Sequence, residues 1–279
     1  MTETETRTNE IIVAVDGSPA ALAAAGIAIQ IARSQALSVH GLYVVDETLA
    51  LDTYANYRHE LVSNREPASR AQLLTWFESQ GNAALQLLEA RCQAAGVPVT
   101  AELMAGGVPE MILRRSEQAQ LLAIGRRGHG HEADPHHLGG SFRTIARHTK
   151  LPLVVGGSEE RTVQTLLLAY DGSERSQPAL SWASLLQRTL PAKVGVVAVQ
   201  ENGHQSTAEW LAEAQAQFAG SQSLPRQGQP ASEIVAAAEE THADLIVMGR
   251  YRHAALLEWL RGSTVDRVLR ATELPVLMA

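Results

Sequence analysis

The chain has 279 residues, and its 23 Lys and Arg against 30 Asp and Glu leave a formal net charge of −7. So acidic a chain lacks the basic face that neutralises nucleic-acid phosphates, and 4% aromatic content offers little for stacking on single strands. Hydrophobic content of 45% is globular in proportion, and no apolar run approaches the ~20 residues of a spanning helix, so neither nucleic acid nor a membrane is an expected partner.

At about 150 residues per domain the length predicts two domains. The polar residues 1–10 carry no charged-then-apolar leader pattern, and the single cysteine, Cys92, cannot form an intrachain disulfide. Both point to a cytoplasmic protein.

In chain order, apolar runs rich in Val and Ile predict buried parallel strands at about 10–16, 38–45, 99–105, 120–125 and 152–156. Ala- and Leu-rich segments between them predict helices at about 19–34, 71–95, 108–118 and 141–148. Ser18-Pro19 supplies an N-cap followed by proline at the first helical position, and Leu22, Gly26, Ile29 and Arg33 share one face of that helix. The pattern then starts again, with strands near 164–171, 193–200, 223–227, 244–249 and 275–278. Its helices fall near 176–190, 206–219, 231–241 and 263–270.

Four landmarks recur in the same order. Residues 11–18, ending Asp16-Gly17-Ser18, return as 166–173, ending Asp171-Gly172-Ser173. Apolar runs stop at Gly125 and at Gly249, Gly-Ser follows at Gly140-Ser141 and Gly262-Ser263, and each half closes on Leu-Pro and a short apolar run. These are two copies of one α/β unit, with domains expected at 1–157 and 162–279. The second copy is shorter, lacking a counterpart of the polar stretch 47–70. Strands alternating with helices predict right-handed crossovers and a doubly wound, five-stranded parallel sheet in each copy.

Ligands of such sheets bind outside the carboxyl ends of the strands, where strand order reverses. Asp16, Val44 and Gly125 onward lie there. Gly125-Arg126-Arg127-Gly128, a long loop and Gly140-Ser141 opening a helix together describe an anion cradle. Glycines admit backbone N–H groups close to a phosphate, and a helix N-terminus adds unpaired donors. Ser141 either caps that helix or donates to a phosphate oxygen.

These residues resemble the universal stress protein family in its tandem form, over nearly all of 10–279. The specific element is Gly-x-x-Gly, nine residues, then Gly-Ser. The resemblance implies an adenine nucleotide alpha hydrolase-like fold and bound ATP or ADP, with Mg²⁺ as an optional companion. It also implies pairing through the last strand and a regulatory role. On the positions of this chain, Asp16 matches the aspartate beside the nucleotide, Ala14 the small residue beside the base, and Val44 the residue whose backbone reads the adenine edge. Gly125, Gly128, Gly140 and Ser141 match the phosphate loop, followed by Phe142. In this chain the spacer between Gly128 and Gly140 holds eleven residues rather than nine. In the second copy Asp171, Gly249, Gly262 and Ser263 match and the nine-residue spacer is kept, but Arg252 replaces the second glycine and Ala198 stands for Val44. Arg252 either fills the phosphate space or pairs with phosphate, so the second site is expected to be the weaker.

The first spacer contains His129, His131, His136 and His137 with Glu132 and Asp134, which reads either as a metal-ligand set or as a solvated lid over the phosphates; the lid is preferred and no metal site is assigned. Asp46 and Glu47 serve either ribose and Mg²⁺ or the turn after strand two. Arg126 and Arg127 either steer phosphates or stand solvated. Cys92 reads as a structural thiol. No catalytic residue is assigned, because neither copy offers a dedicated base for water beyond Asp16 or the histidines. The expected function is a nucleotide-binding stress-response regulator. The alternatives are a slow ATPase or phosphotransferase, and an interaction protein with degenerate sites. The closing strands 153–155 and 276–278 are expected to pair with each other, giving an intrachain pseudo-dimer, and a homodimer of chains is expected through the insertion at 47–70.

Overall fold

The structure is a computed structural model that describes residues 8–46, 70–128, 137–201, 207–218, 220–250 and 263–279. The first half runs β1 (Glu10–Ala14), α1 (Pro19–Gln35), β2 (Ser38–Asp46), α2 (Arg70–Ala95), β3 (Val99–Gly106), α3 (Val108–Ser116), β4 (Leu121–Gly125), α4 (Gly140–His148) and β5 (Leu153–Gly156). The second runs β6 (Thr165–Ala169), α5 (Gln177–Thr189), β7 (Lys193–Gln200), α6 (Thr207–Gln215), β8 (Gln222–Gln227), α7 (Pro230–Glu240), β9 (Leu245–Met248), α8 (Thr264–Ala271) and β10 (Val276–Met278).

The strands form one sheet in the order β3-β2-β1-β4-β5-β10-β9-β6-β7-β8. Each half is the expected doubly wound parallel unit, yet the two are not separate sheets. The closing strands pair antiparallel, Val155 with Val276, Val154 with Leu277 and Leu153 with Met278, as expected for the intrachain junction. All six residues are buried. Because successive side chains in a strand alternate faces, Val154 and Leu277 join the core on one side of the sheet, and Val155, Val276 and Met278 the core on the other. Both cores run unbroken through the two halves.

Helix α1 shows how local sequence serves this architecture. Ser18 Oγ accepts from Ala21 N at 3.2 Å, Pro19 opens the helix, and Ala36 ends it in the left-handed conformation. Its alanines let it lie against β4 and β5 almost without a gap: a Cβ on Gly156 would sit 1.8 Å from Ala20 O. The stripe of Leu22, Gly26, Ile29 and Arg33 is the less buried side of a helix covered almost all round. Gln30 fastens the connection between halves to α1, donating to Arg161 O at 2.8 Å and accepting from Val163 N at 2.9 Å.

At the far end of the sheet from the candidate site, His40 on β2 is buried between Thr100 (2.8 Å) and Glu102 (3.2 Å), and Arg115 of α3 bridges Glu102 and Glu10. Burial would raise the Glu10 carboxyl, but the hydrogen bond and charge of Arg115 outweigh it and hold it low. Burial, helped by the Arg115 charge, pushes the His40 imidazole below its ordinary value against the opposing pull of Glu102 and Glu10.

Two outcomes are expected. Deleting residues 276–279 removes four buried apolar side chains, Val276, Leu277, Met278 and Ala279, and the junction, so the whole chain should lose roughly 5 kcal/mol or more, read as a lower denaturation midpoint; a mere change of oligomeric state at an unchanged midpoint contradicts the internal junction. For His40 the folded pKa lies below the unfolded one, so the unfolded chain binds the proton first. Its contribution is complete above about pH 6.5 and is lost as pH falls below that. His40→Gln should therefore flatten the fall in stability between pH 7.5 and 5.5 relative to the parent chain.

Candidate functional site

Strand order reverses between β1 and β4 in the first half and between β6 and β9 in the second, and the carboxyl ends of these pairs open the two crevices of the sheet.

In the first half the turn after β1 is set by Gly17 at φ 82, a conformation that favours glycine. It brings Asp16 round so that Oδ1 accepts from Ser18 N at 2.9 Å. The other carboxylate oxygen faces the loop after β4: a Cβ built on Gly128 would lie 2.9 Å from Oδ2. Gly125 is fixed for a different reason, because its Cβ would meet the α1 backbone, 2.9 Å from Ala21 N. Gly139 N donates to Arg126 O at 2.9 Å, and a Cβ on Gly139 would lie 3.9 Å from Gly128 N. The two ends of the long spacer are thus held together beside Asp16. Residues 129–136, which hold His129, His131 and His136 with Glu132 and Asp134, lie outside the described residues, as do Glu47 and the insertion at 47–69, whereas His137 is described and half-buried.

Helix α4 begins at Gly140 with Gly139 as its cap, and the first-turn N–H groups of such a helix are the donors an anion seeks. Space around Gly140 is open, with no atom within 4 Å of an added Cβ, and Ser141 is exposed in the first turn. Ser141 is therefore inside the helix rather than its cap, which removes one of its two expected roles. Ala14 and Val44 stand partly buried near the ends of β1 and β2, and Asp46 closes β2 opposite Gly106. Phe142 does not belong with them. It is the third residue of α4 and lies on the helix face that also buries Ile145, in a cleft between α4 and α8 with Leu138, Val265, Leu269 and Met278.

Arg126 and Arg127 depart from both roles expected of them. Arg126 is fully buried, and its Nε donates to Gly156 O at 2.7 Å and Nη1 to Leu269 O at 2.9 Å. Burial drives its guanidinium down to about 10. Arg127 is also buried and lies 3.8 Å from Glu273. Cys92 is buried on α2, and burial, with Glu89 adding to it, raises its thiol to about 11, so it stays protonated and unreactive at neutral pH.

The second crevice is built on the same plan with different furniture. Asp171 Oδ1 accepts from Ser173 N at 3.1 Å and Ser173 Oγ at 2.6 Å. Gly249 abuts Arg175 O, 2.6 Å from an added Cβ, as Gly125 abuts Ala21. Ser263 caps α8, accepting from Asp266 N at 3.2 Å. Arg252 and Gly262 lie outside the described residues, and Ala198 is fully buried in β7. Trp210 of α6 lies against Gly172, where a Cβ would approach its Cδ1 to 2.2 Å. Tyr170 replaces Val15, accepts from Gln177 and reaches Glu213, with burial first among the causes that raise its hydroxyl. Helix α6 is thereby clamped over the Asp171 turn. The clamp has no sequence signal: Trp210 reads as an ordinary apolar helix position until the chain brings it to Gly172.

The profile of the Universal stress protein family matches residues 8–155 and 205–279. The chain belongs to the universal stress protein family. It is 30% identical over 162 residues to Universal stress protein Slr1230 of Synechocystis, covering 56% of this chain and 56% of that relative, so the match spans little more than half of each. Among solved structures it is similar to a universal stress protein of Archaeoglobus fulgidus, with TM-score 0.74, 20% identity and 98% of both chains covered. A putative universal stress protein of Pseudomonas aeruginosa is also similar, with TM-score 0.66, 18% identity, and 99% of this chain and 94% of that one covered. At such identities the likeness is one of fold, the adenine nucleotide alpha hydrolase-like α/β architecture of universal stress proteins.

The glycines separate into two kinds, and substitution distinguishes them. Gly125→Ala forces a methyl against unyielding helix backbone and should cost about 1–3 kcal/mol of stability. Gly128→Ala meets only the movable Asp16 carboxylate and should change stability by less than about 0.5 kcal/mol. Equal losses for the two variants would contradict this division.

Proposed function

We propose that the first copy binds ATP or ADP at the crevice between β1 and β4, and that the chain acts as a nucleotide-binding stress-response regulator. The observation that carries this reading is the convergence of Asp16, Gly128 and Gly139-Gly140 on the open N-terminus of α4. Phosphates would take the free first-turn donors of α4 and the Ser141 hydroxyl, with Gly125 and Gly128 keeping the approach clear. Ala14 and Val44 would face the base, and Asp16 would hold the ribose or a Mg²⁺ ion between itself and the phosphates. No residue is assigned a catalytic role, and hydrolysis in this reading is at most slow.

The second crevice, with Asp171, Gly249, Arg252, Gly262 and Ser263, is proposed as the weaker site. The Trp210 clamp over Gly172 supports that ranking, since it narrows the edge that stays open beside Asp16. The reading takes 1–157 and 162–279 as two domains in a pseudo-dimer, on the support of their repeated strand order and the β5–β10 junction. A homodimer of chains, a cytoplasmic location and the absence of nucleic-acid or membrane partners complete the proposal. No described helix is long and apolar enough to cross a membrane.

Calorimetric titration of ATP with Mg²⁺ tests the assignment. Gly128→Val should weaken binding by tenfold or more, about 1.4 kcal/mol, with the fold retained. Unchanged affinity, or two equal and independent sites per chain, would overturn it.

A further inference from the structure

Each crevice loop places an arginine directly after its glycine, Arg126 after Gly125 and Arg250 after Gly249. Neither turns toward its own crevice. Arg126 crosses the junction and donates to Leu269 O, Thr272 O and Leu274 O at the carboxyl end of α8, besides Gly156 O of its own half. Arg250 crosses the other way and donates to Thr149 O and Leu151 O at the carboxyl end of α4. Thr149-Lys150-Leu151-Pro152 and Thr272-Glu273-Leu274-Pro275 are the same segment of the repeat, so the two clasps are related by the approximate two-fold axis of the β5–β10 pair.

The chemistry of the clasp explains how so buried a cation is tolerated. A helix carboxyl end presents unpaired carbonyls and a partial negative charge, and the planar guanidinium meets several of them at once. For Arg126 the Glu273 carboxylate adds favourable charge while Arg127 opposes it. Burial pushes both guanidinium groups below their ordinary value.

The helices that are held at one end begin at the other end in the opposite crevice. Helix α8 starts at Ser263, the Gly-Ser position of the second copy, and α4 starts at Gly140 in the first. We infer that Arg126 and Arg250 are positioning residues that couple the two crevices: each loop sets the seat of the helix whose N-terminus forms the other copy's anion cradle. A ligand that shifts Arg126 or Arg250 then shifts the other copy's cradle through a helix of two or so turns, and the effect is reciprocal. This coupling rests on the nucleotide reading for its ligand, but not for its mechanical part.

The test uses the full chain carrying Arg250→Lys, which keeps the charge and loses the fork, read by amide hydrogen exchange and by ATP titration. Asp244→Asn, which weakens the contacts of Asp244 to Gln164 N and Thr165 N away from either clasp, serves as the control for general destabilisation. Amides of 141–149 in the unsubstituted first copy should exchange about fivefold faster or more in Arg250→Lys, and ATP binding there should weaken by a similar factor. Asp244→Asn at a matched melting temperature should leave 141–149 no faster than the other helices. Faster exchange confined to 245–250 and the second copy, or spread evenly as in Asp244→Asn, overturns the coupling. If the parent chain binds no ATP, the nucleotide reading falls, and the exchange of 141–149 alone still decides for or against the clasp.

Discussion

The antiparallel pairing of β5 with β10 is the contact on which the molecule depends. Three residues from each strand, all buried, convert two five-stranded sheets into one ten-stranded sheet. An isolated copy would expose the unpaired N–H and C=O groups of its last strand along with apolar side chains on both faces. Joining the strands satisfies the backbone and merges the cores on each side, so neither half has a hydrophobic face of its own to complete. Gly156 and Gly157 belong to the same constraint. Their missing side chains let the chain leave β5 against α1 on one side and against Glu273 and Pro275 on the other.

The junction also gathers the most buried charge among the described residues. An isolated guanidinium in an apolar core would be prohibitively costly, and a lone acidic partner would need its own desolvation. Backbone carbonyls at a helix end avoid both difficulties, because they are already present, already oriented and otherwise unpaired. The consequence is geometrical. The segment that borders each crevice is hydrogen-bonded to the far copy through Arg126 or Arg250, so one loop carries both the crevice edge and an inter-copy contact.

The two crevices share their scaffold and differ in their occupants. Gly125 and Gly249 make the same close approach to the start of a helix, and Asp16 and Asp171 both close on the second residue after them. Beyond this the copies part. Asp16 looks across to a glycine, whereas the turn of Asp171 is covered by Trp210 and braced through Tyr170, Gln177 and Glu213.

Sequence alone determined the duplication, the order of strands and helices, and the crevice edges on which Asp16, Gly125, Gly128 and Gly140 fall. These rest on local patterns: apolar runs of strand length, alanine-rich helical periods, and glycines at fixed places after strands. The closing strands could also be matched to one another, because each is a short apolar run with an open edge. Tertiary structure alone decided where side chains in those patterns point. Phe142 follows Gly140-Ser141 in sequence but packs between α4 and α8, and Arg126 follows Gly125 yet serves the other copy. Trp210 and Gly172 meet only when α6 packs on β7 and β8 and so reaches the turn after β6. A residue's partner across the sheet is fixed by packing between distant segments, and no spacing along the chain encodes it.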